Sequence, residues 1–212
     1  MLQVLPGAGS EAGNALTTHP LVRKISFTGS TEVGSKIMKL AADDIKRVSL
    51  ELGGKSPNIV FAEADWQRAA TESPMSVFAN TGQDCCARSR MFIEQPIFND
   101  FVNQFVAATE SLKIGDPTND ETQLGPMVSA AQREISESFV TEARDAGRDI
   151  RTGGERQGEH GFYLNPAVIT GVKTGDRAWC EEIFGPVVCL RPFTDEAKML
   201  QEVNDTSFGL SG

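Results

Sequence analysis

Along the first fifty residues, short apolar runs alternate with amphipathic stretches, and the alternation predicts strand, helix, strand, helix, strand. Residues 2–5 form the first apolar run, stopped by Pro6-Gly7, and residues 10–18 have helical spacing and end in the turn His19-Pro20. Residues 24–27 make the next strand. After Thr28-Gly29, either Ser30 or Thr31 can cap a helix reaching about Ala42, with Val33, Ile37, Leu40 and Ala41 on one face and Glu32 in the first turn. Residues 47–52 then read as a third strand, halted by Gly53-Gly54. This is the rhythm of a doubly wound parallel sheet.

The character changes near Gly54, where a domain boundary is expected, dividing the chain into 1–53 and 54–212. A strand is predicted at 58–61, a helical stretch at 64–79 that Pro74 should kink or divide, and a strand at 88–94. Two amphipathic helices follow at 97–113 and 129–147, separated by a Gly, Pro, Asn and Asp rich connection from Gly115 to Pro126. Further strands are expected at 163–169 and 187–192, and the last residues, Phe208-Gly209-Leu210-Ser211-Gly212, show no capped element. The predicted class is therefore α/β.

Composition narrows the possibilities. A formal charge of -9, with no basic stripe to meet a row of phosphates, argues against nucleic acid as a partner. No apolar run approaches the roughly 20 residues of a membrane-spanning helix, and the first residues lack the regions of a signal peptide, so a cytoplasmic protein is expected. Cysteines 85, 86, 180 and 189 show neither paired zinc spacing nor disulfide-scaffold density, and read as free thiols with no metal site.

Four segments could carry chemistry. Phe27-Thr28-Gly29-Ser30-Thr31-Glu32-Val33-Gly34 joins a strand to a helix through small residues, which suits either an ordinary turn or an anion held on helix N-terminal amides. Glu51 occupies the polar phase of a strand end, which is a place for a solvated carboxylate or for a functional one. Cys85 and Cys86 lie in a loop with Arg88 and Arg90 close behind; such cations would favour a thiolate, although free cysteines also serve as small buried hydrophobes. Glu181-Glu182-Ile183-Phe184-Gly185-Pro186 leads by a turn into an apolar strand, and neither His19 nor His160 has a partner at ligand spacing.

In this order, Phe27-Thr28-Gly29-Ser30-Thr31, Glu51-Leu52-Gly53-Gly54-Lys55-Ser56-Pro57, Gly82-Gln83-Asp84-Cys85 and Glu182-Ile183-Phe184-Gly185-Pro186 resemble the aldehyde dehydrogenase superfamily, and the similarity runs through essentially the whole chain. The resemblance implies a partial doubly wound cofactor-binding sheet in 1–53, followed in 54–212 by most of an α/β catalytic domain of that type. It makes Cys85 the nucleophile and Glu51 the general base. Gly29 and Ser30 would line the phosphates of NAD or NADP, Leu52 would lie near the nicotinamide, and Glu182 and Phe184 would hold the nicotinamide-side ribose and ring. The implied reaction oxidises an aldehyde to a carboxylic acid through a thiohemiacetal and a thioester on Cys85, in an enzyme that is a homo-oligomer at full length.

Family members carry an oxyanion-hole asparagine and an adenosine-binding lysine upstream of the first residue here, so the resemblance implies an internal piece lacking both ends and inactive alone. The competing readings are a non-catalytic folded fragment or association module, and a thiol-dependent esterase.

Overall fold

The computed structural model describes all residues, Met1–Gly212, and they form two compact units, Met1–Gly53 and Gly54–Gly212. In the first, β1 (Lys24–Thr28) and β2 (Arg47–Glu51) pair in parallel, from Lys24 opposite Arg47 to Thr28 opposite Glu51. A π-helical turn at Gly9–Gly13 runs into α1 (Asn14–Thr18), and α2 (Thr31–Ala42) connects the strands. Lys46 ties this unit together: its buried Nζ donates to the carbonyls of Thr17 at 2.8 Å and His19 at 2.7 Å, closing the end of α1. The strand predicted at 2–5 does not form. Leu2, Val4 and Leu5 are exposed and irregular, because β1 pairs only with β2 and an unpaired apolar run gains no ladder bonds to hold it extended.

The second unit is a five-stranded sheet in the order β3-β4-β7-β6-β5. Its strands are β3 (Pro57–Val60), β4 (Arg90–Glu94), β5 (Asp149–Thr152), β6 (Ala167–Thr170) and β7 (Val187–Phe193). All pairings are parallel except β5 with β6. Side-chain alternation divides the core between the two faces. Met91, Ile93, Val168, Val188 and Leu190 pack with Phe78, Phe101 and Phe105 of α3 (Trp66–Phe78) and α4 (Phe98–Glu110). The intervening Phe92, Ala167, Ile169, Val187 and Cys189 pack with Phe139 of α5 (Ala130–Asp145), Trp179 of α6 (Arg177–Cys180) and Met199 of α7 (Glu196–Asn204). Each large side chain so buried contributes about 2 kcal/mol, and with both faces covered the central strands read as continuous apolar runs.

Four helices begin in the same way. Ser30, Asp65, Ser129 and Asp195 each accept the amide three residues on, Val33 at 3.3 Å, Arg68 at 3.2 Å, Gln132 at 3.2 Å and Lys198 at 3.0 Å. Pro74 neither ends nor divides α3; it is buried within the helix, which forgoes only the bond that proline cannot donate to the Ala70 carbonyl. The α/β class is as expected, whereas β5, α6 and α7 were not foreseen.

Candidate active site

In the first unit, Gly29, Ser30, Glu51 and Leu52 lie together where β1 and β2 end. The Gly29 amide donates to the Glu51 carbonyl at 3.0 Å, extending the β1–β2 ladder by one bond. The Ser30 hydroxyl caps α2 through Val33, which leaves the amides of Thr31 and Glu32 at the open end of a 12-residue helix. Gly29 and Ser30 are exposed, and Gly29 has no side chain to block an approaching group. Such an end, positive by its dipole and fronted by a glycine, fits a phosphate. Glu51 is exposed at the end of β2, and the half-buried Leu52 lies across α2, its Cδ2 only 2.7 Å from where a Cβ on Gly34 would stand.

In the second unit, Cys85 sits in the turn between α3 and β4. The backbone there is strained: Asn80, Thr81 and Gly82 have φ of 52°, 58° and 69°, and a β-branched residue in this region needs compensation. The buried Thr81 hydroxyl provides some, donating to the Gly125 carbonyl at 2.9 Å. The Gln83 side chain provides more, donating to the Asn80 carbonyl at 3.1 Å and accepting from the Val128 amide at 2.9 Å. A Cβ on Gly82 would lie 2.2 Å from the Gly185 carbonyl oxygen, so only glycine allows that approach.

The turn also closes on Gly54, where an added Cβ would stand 2.3 Å from the Cys85 carbonyl oxygen. The Gly54 amide donates to Glu182 Oε1 at 3.1 Å. Phe184 follows with a φ of 52° and an exposed ring, its backbone fixed by the Gln132 side chain, whose Nε2 donates to the Ile183 and Phe184 carbonyls at 3.1 and 3.0 Å. Gly54, Gly82 and Glu182 line the same small cavity, about 10 Å³, together with Asp84 and Phe184. The cysteine turn, the Gly54 segment ahead of β3 and the Glu182–Gly185 turn are therefore one assembly, in which Gly54 and Glu182 meet from 128 residues apart.

The electrostatics differ from expectation at the cysteine. Burial pushes the half-buried Cys85 thiol up, and the Cys86 thiol and the Asp84 carboxylate push it further. Arg90 does not act as the cation expected to favour a thiolate. Its buried guanidinium turns inward, donating to the carbonyls of Lys55 and Val203, each at 3.0 Å, because these carbonyls and the faces of Phe92 and Trp179 satisfy it in the core. Arg88 is exposed. Burial also raises the Glu182 carboxyl, with the Gly54 amide and Lys55 drawing it partly back.

Lys55 itself was not anticipated. It is 2% exposed, its Nζ has no hydrogen-bond partner, and burial holds it down to about 8. Gln132 was also missed, and Gly82 and Gly185, though within the quoted motifs, were given no role of their own. For Gly82 and Gly185 the glycine-bearing turns were a visible signal, whereas nothing local connects Gln132 to Phe184.

The family model described as "Aldehyde dehydrogenase family" matches residues 1–212. The chain is 45% identical over 213 residues to "Aminoaldehyde dehydrogenase 2, peroxisomal" of Pisum sativum, covering 99% of this chain and 42% of that protein. It is 43% identical to "Betaine aldehyde dehydrogenase 1" of Oryza sativa subsp. japonica, covering 100% of this chain and 42% of that protein. Among solved structures, the NAD+ complex of aldehyde dehydrogenase from Bacillus cereus is similar with a TM-score of 0.94 at 38% identity, over 97% of this chain and 42% of that one. Betaine aldehyde dehydrogenase from Staphylococcus aureus in complex with NAD+ is similar with a TM-score of 0.91 at 36% identity, over 96% and 41%. The chain thus spans about two fifths of the length of these relatives. No helix is long and apolar enough to cross a membrane. Relatives named as peroxisomal and as chloroplastic mean that a cytoplasmic address does not follow from similarity.

Proposed function

Because this chain belongs to the aldehyde dehydrogenase family, we propose that it supplies the nucleophile, the general base and part of the dinucleotide site of an enzyme that oxidises an aldehyde to a carboxylic acid. The observation that carries the reading is the convergence of Cys85, Gly54 and Glu182 in one assembly, where a cysteine turn held in a strained conformation is fixed against the carboxylate's own anchoring amide. Strain of this kind persists only where surrounding contacts over-determine it, and it tends to collect at sites of chemistry.

In this reading Met1–Gly53 is the C-terminal part of an NAD(P)-binding domain and Gly54–Gly212 is most of the catalytic domain. Gly29 and Ser30 hold the phosphates, Glu182 takes ribose hydroxyls, and Leu52 and Phe184 border the nicotinamide. Bound NAD(P)+ supplies the hydride acceptor. Cys85 is a thiol that its surroundings raise, and its sulfur bonds to the aldehyde carbon as the thiol proton passes, directly or through water, to the carbonyl oxygen, forming a thiohemiacetal. Loss of hydride from that carbon leaves a thioester on Cys85. Glu51, exposed at the end of β2, activates the water that releases the acid. The names of the relatives make amino aldehydes and betaine aldehyde the first substrates to try.

The test is spectrophotometric. The complete gene product, given these aldehydes with NAD+ or NADP+, should form reduced dinucleotide, and an activated ester should be hydrolysed through the same thiol. Ester hydrolysis without dinucleotide reduction would return the site to a thiol esterase. Neither activity would leave a non-catalytic association module.

A further inference from the structure

We propose that Asp84, Cys85 and Cys86 form a three-ligand site for a zinc-type divalent cation, and that its occupation switches the enzyme off by engaging the nucleophilic sulfur. Cys85 Sγ and Cys86 Sγ stand 3.9 Å apart. Two sulfurs on one tetrahedral zinc, with bonds of about 2.3 Å, are about 3.8 Å apart, so the pair is already at its bite distance. One oxygen of the Asp84 carboxylate lies within 4.8 Å of both sulfurs, so a small movement of that side chain brings it to the roughly 3.6 Å that a tetrahedral oxygen–zinc–sulfur pair requires. The carboxylate is oriented before any metal arrives, because its Oδ1 accepts the Cys86 amide at 2.9 Å.

Access and donor type agree with the geometry. Asp84 and Cys86 are exposed and Cys85 is half-buried, so an ion can enter and keep a water as its fourth ligand. A set of two thiolates and one carboxylate suits borderline-soft, d10 ions and is poorly matched to magnesium or calcium. On binding, two S–H bonds break and two metal–sulfur bonds form, and two protons leave to the solvent.

Binding does not depend on the catalytic reading; inhibition rests on Cys85 being the nucleophile. The experiment titrates the reduced complete gene product with Cd2+, following thiolate-to-metal absorption in the ultraviolet. Cysteine alkylation is then mapped by mass spectrometry with and without the ion. The expected result is one tightly held Cd2+ per chain, protection of Cys85 and Cys86 together, and at least tenfold weaker binding in Cys86→Ser, with a smaller loss in Asp84→Asn. Reduction of dinucleotide should fall in step with occupancy and return on adding a chelator. Charge-transfer absorption that survives unchanged in Cys86→Ser, or protection found at Cys180 in place of the pair, overturns the site. Tight binding at the pair without loss of activity would keep the metal site and instead overturn Cys85 as nucleophile.

Discussion

The turn from β1 into α2 and the turn from α3 into β4 both carry residues of the candidate site, yet they are made in opposite ways. The first is local and relaxed: Ser30 caps its own helix, Gly29 bonds to the neighbouring strand, and a Cβ added at Gly29 would meet only the tip of the Phe27 ring, 2.4 Å away. The second is strained and held from a distance, with three consecutive left-handed residues pinned by Gly125, Val128 and Gly185. A surface that only binds can be written in a few adjacent residues. A nucleophile that must be aimed, the role proposed for Cys85, needs the rest of its domain around it.

The hardest test of that contrast is the nucleophile. In the complete gene product, Cys85→Ala should remove both aldehyde oxidation and ester hydrolysis, a loss on the order of 10⁴-fold or more. Cys86→Ala should leave substantial activity, since only Cys85 stands two residues after Gln83, and an active Cys85→Ala enzyme would break the assignment. Next in size is Glu51→Gln, which should slow thioester hydrolysis about 100-fold while acylation proceeds. Stopped-flow absorbance should then show a burst of reduced dinucleotide before a slow steady rate; an unchanged steady rate would make Glu51 a solvated carboxylate only.

Two glycines sharpen the structural side. Gly82→Ala forces a left-handed residue against a backbone carbonyl and should cost about 3 kcal/mol, whereas Gly29→Ala needs only a ring to swing aside and should cost less than about 1 kcal/mol. Thermal unfolding of both variants, side by side, would refute the contrast if their melting temperatures fell equally. The smallest effect is at the cap: Ser30→Ala should cost about 1 kcal/mol, and Ser30→Asp should keep the cap but set a carboxylate against phosphates. Its melting temperature should match the parent while KM for the dinucleotide rises; a KM that stays put would place the phosphates elsewhere.

The same contrast governs what could be read from residues alone. The Ser30 cap, α2 and β2 follow from adjacent residues and were legible. The signal for α7 is equally local, Asp195 capping a stretch with Met199 and Val203 four apart, although no helix is predicted there from the sequence. By contrast, β5 is a short edge strand, Asp149–Thr152, whose charged residues hide its alternation and whose pairing with β6 supplies its stability. Residues 2–5 failed in the other direction, because an apolar run says nothing about whether a partner strand exists. Within the candidate site, the motif around Cys85 is local, but the inward turn of Arg90 depends on carbonyls at Lys55 and Val203 that no local pattern brings near it.

The unpartnered ammonium of Lys55 ties folding to protons. It titrates at 10.5 when free and at about 8 in place, so above pH 8 the unfolded chain still holds a proton that the folded chain has released. Wherever the unfolded state binds more protons, raising the pH favours folding, so stability should climb between pH 8 and 9 by about 1 kcal/mol. Beyond pH 9 the neighbouring Cys189, whose thiol burial pushes up from 9.0 to about 11, works in the opposite sense, since the unfolded thiol ionises first. Most proteins lose stability as solutions turn alkaline; this one should first gain it, and Lys55→Met should abolish the gain.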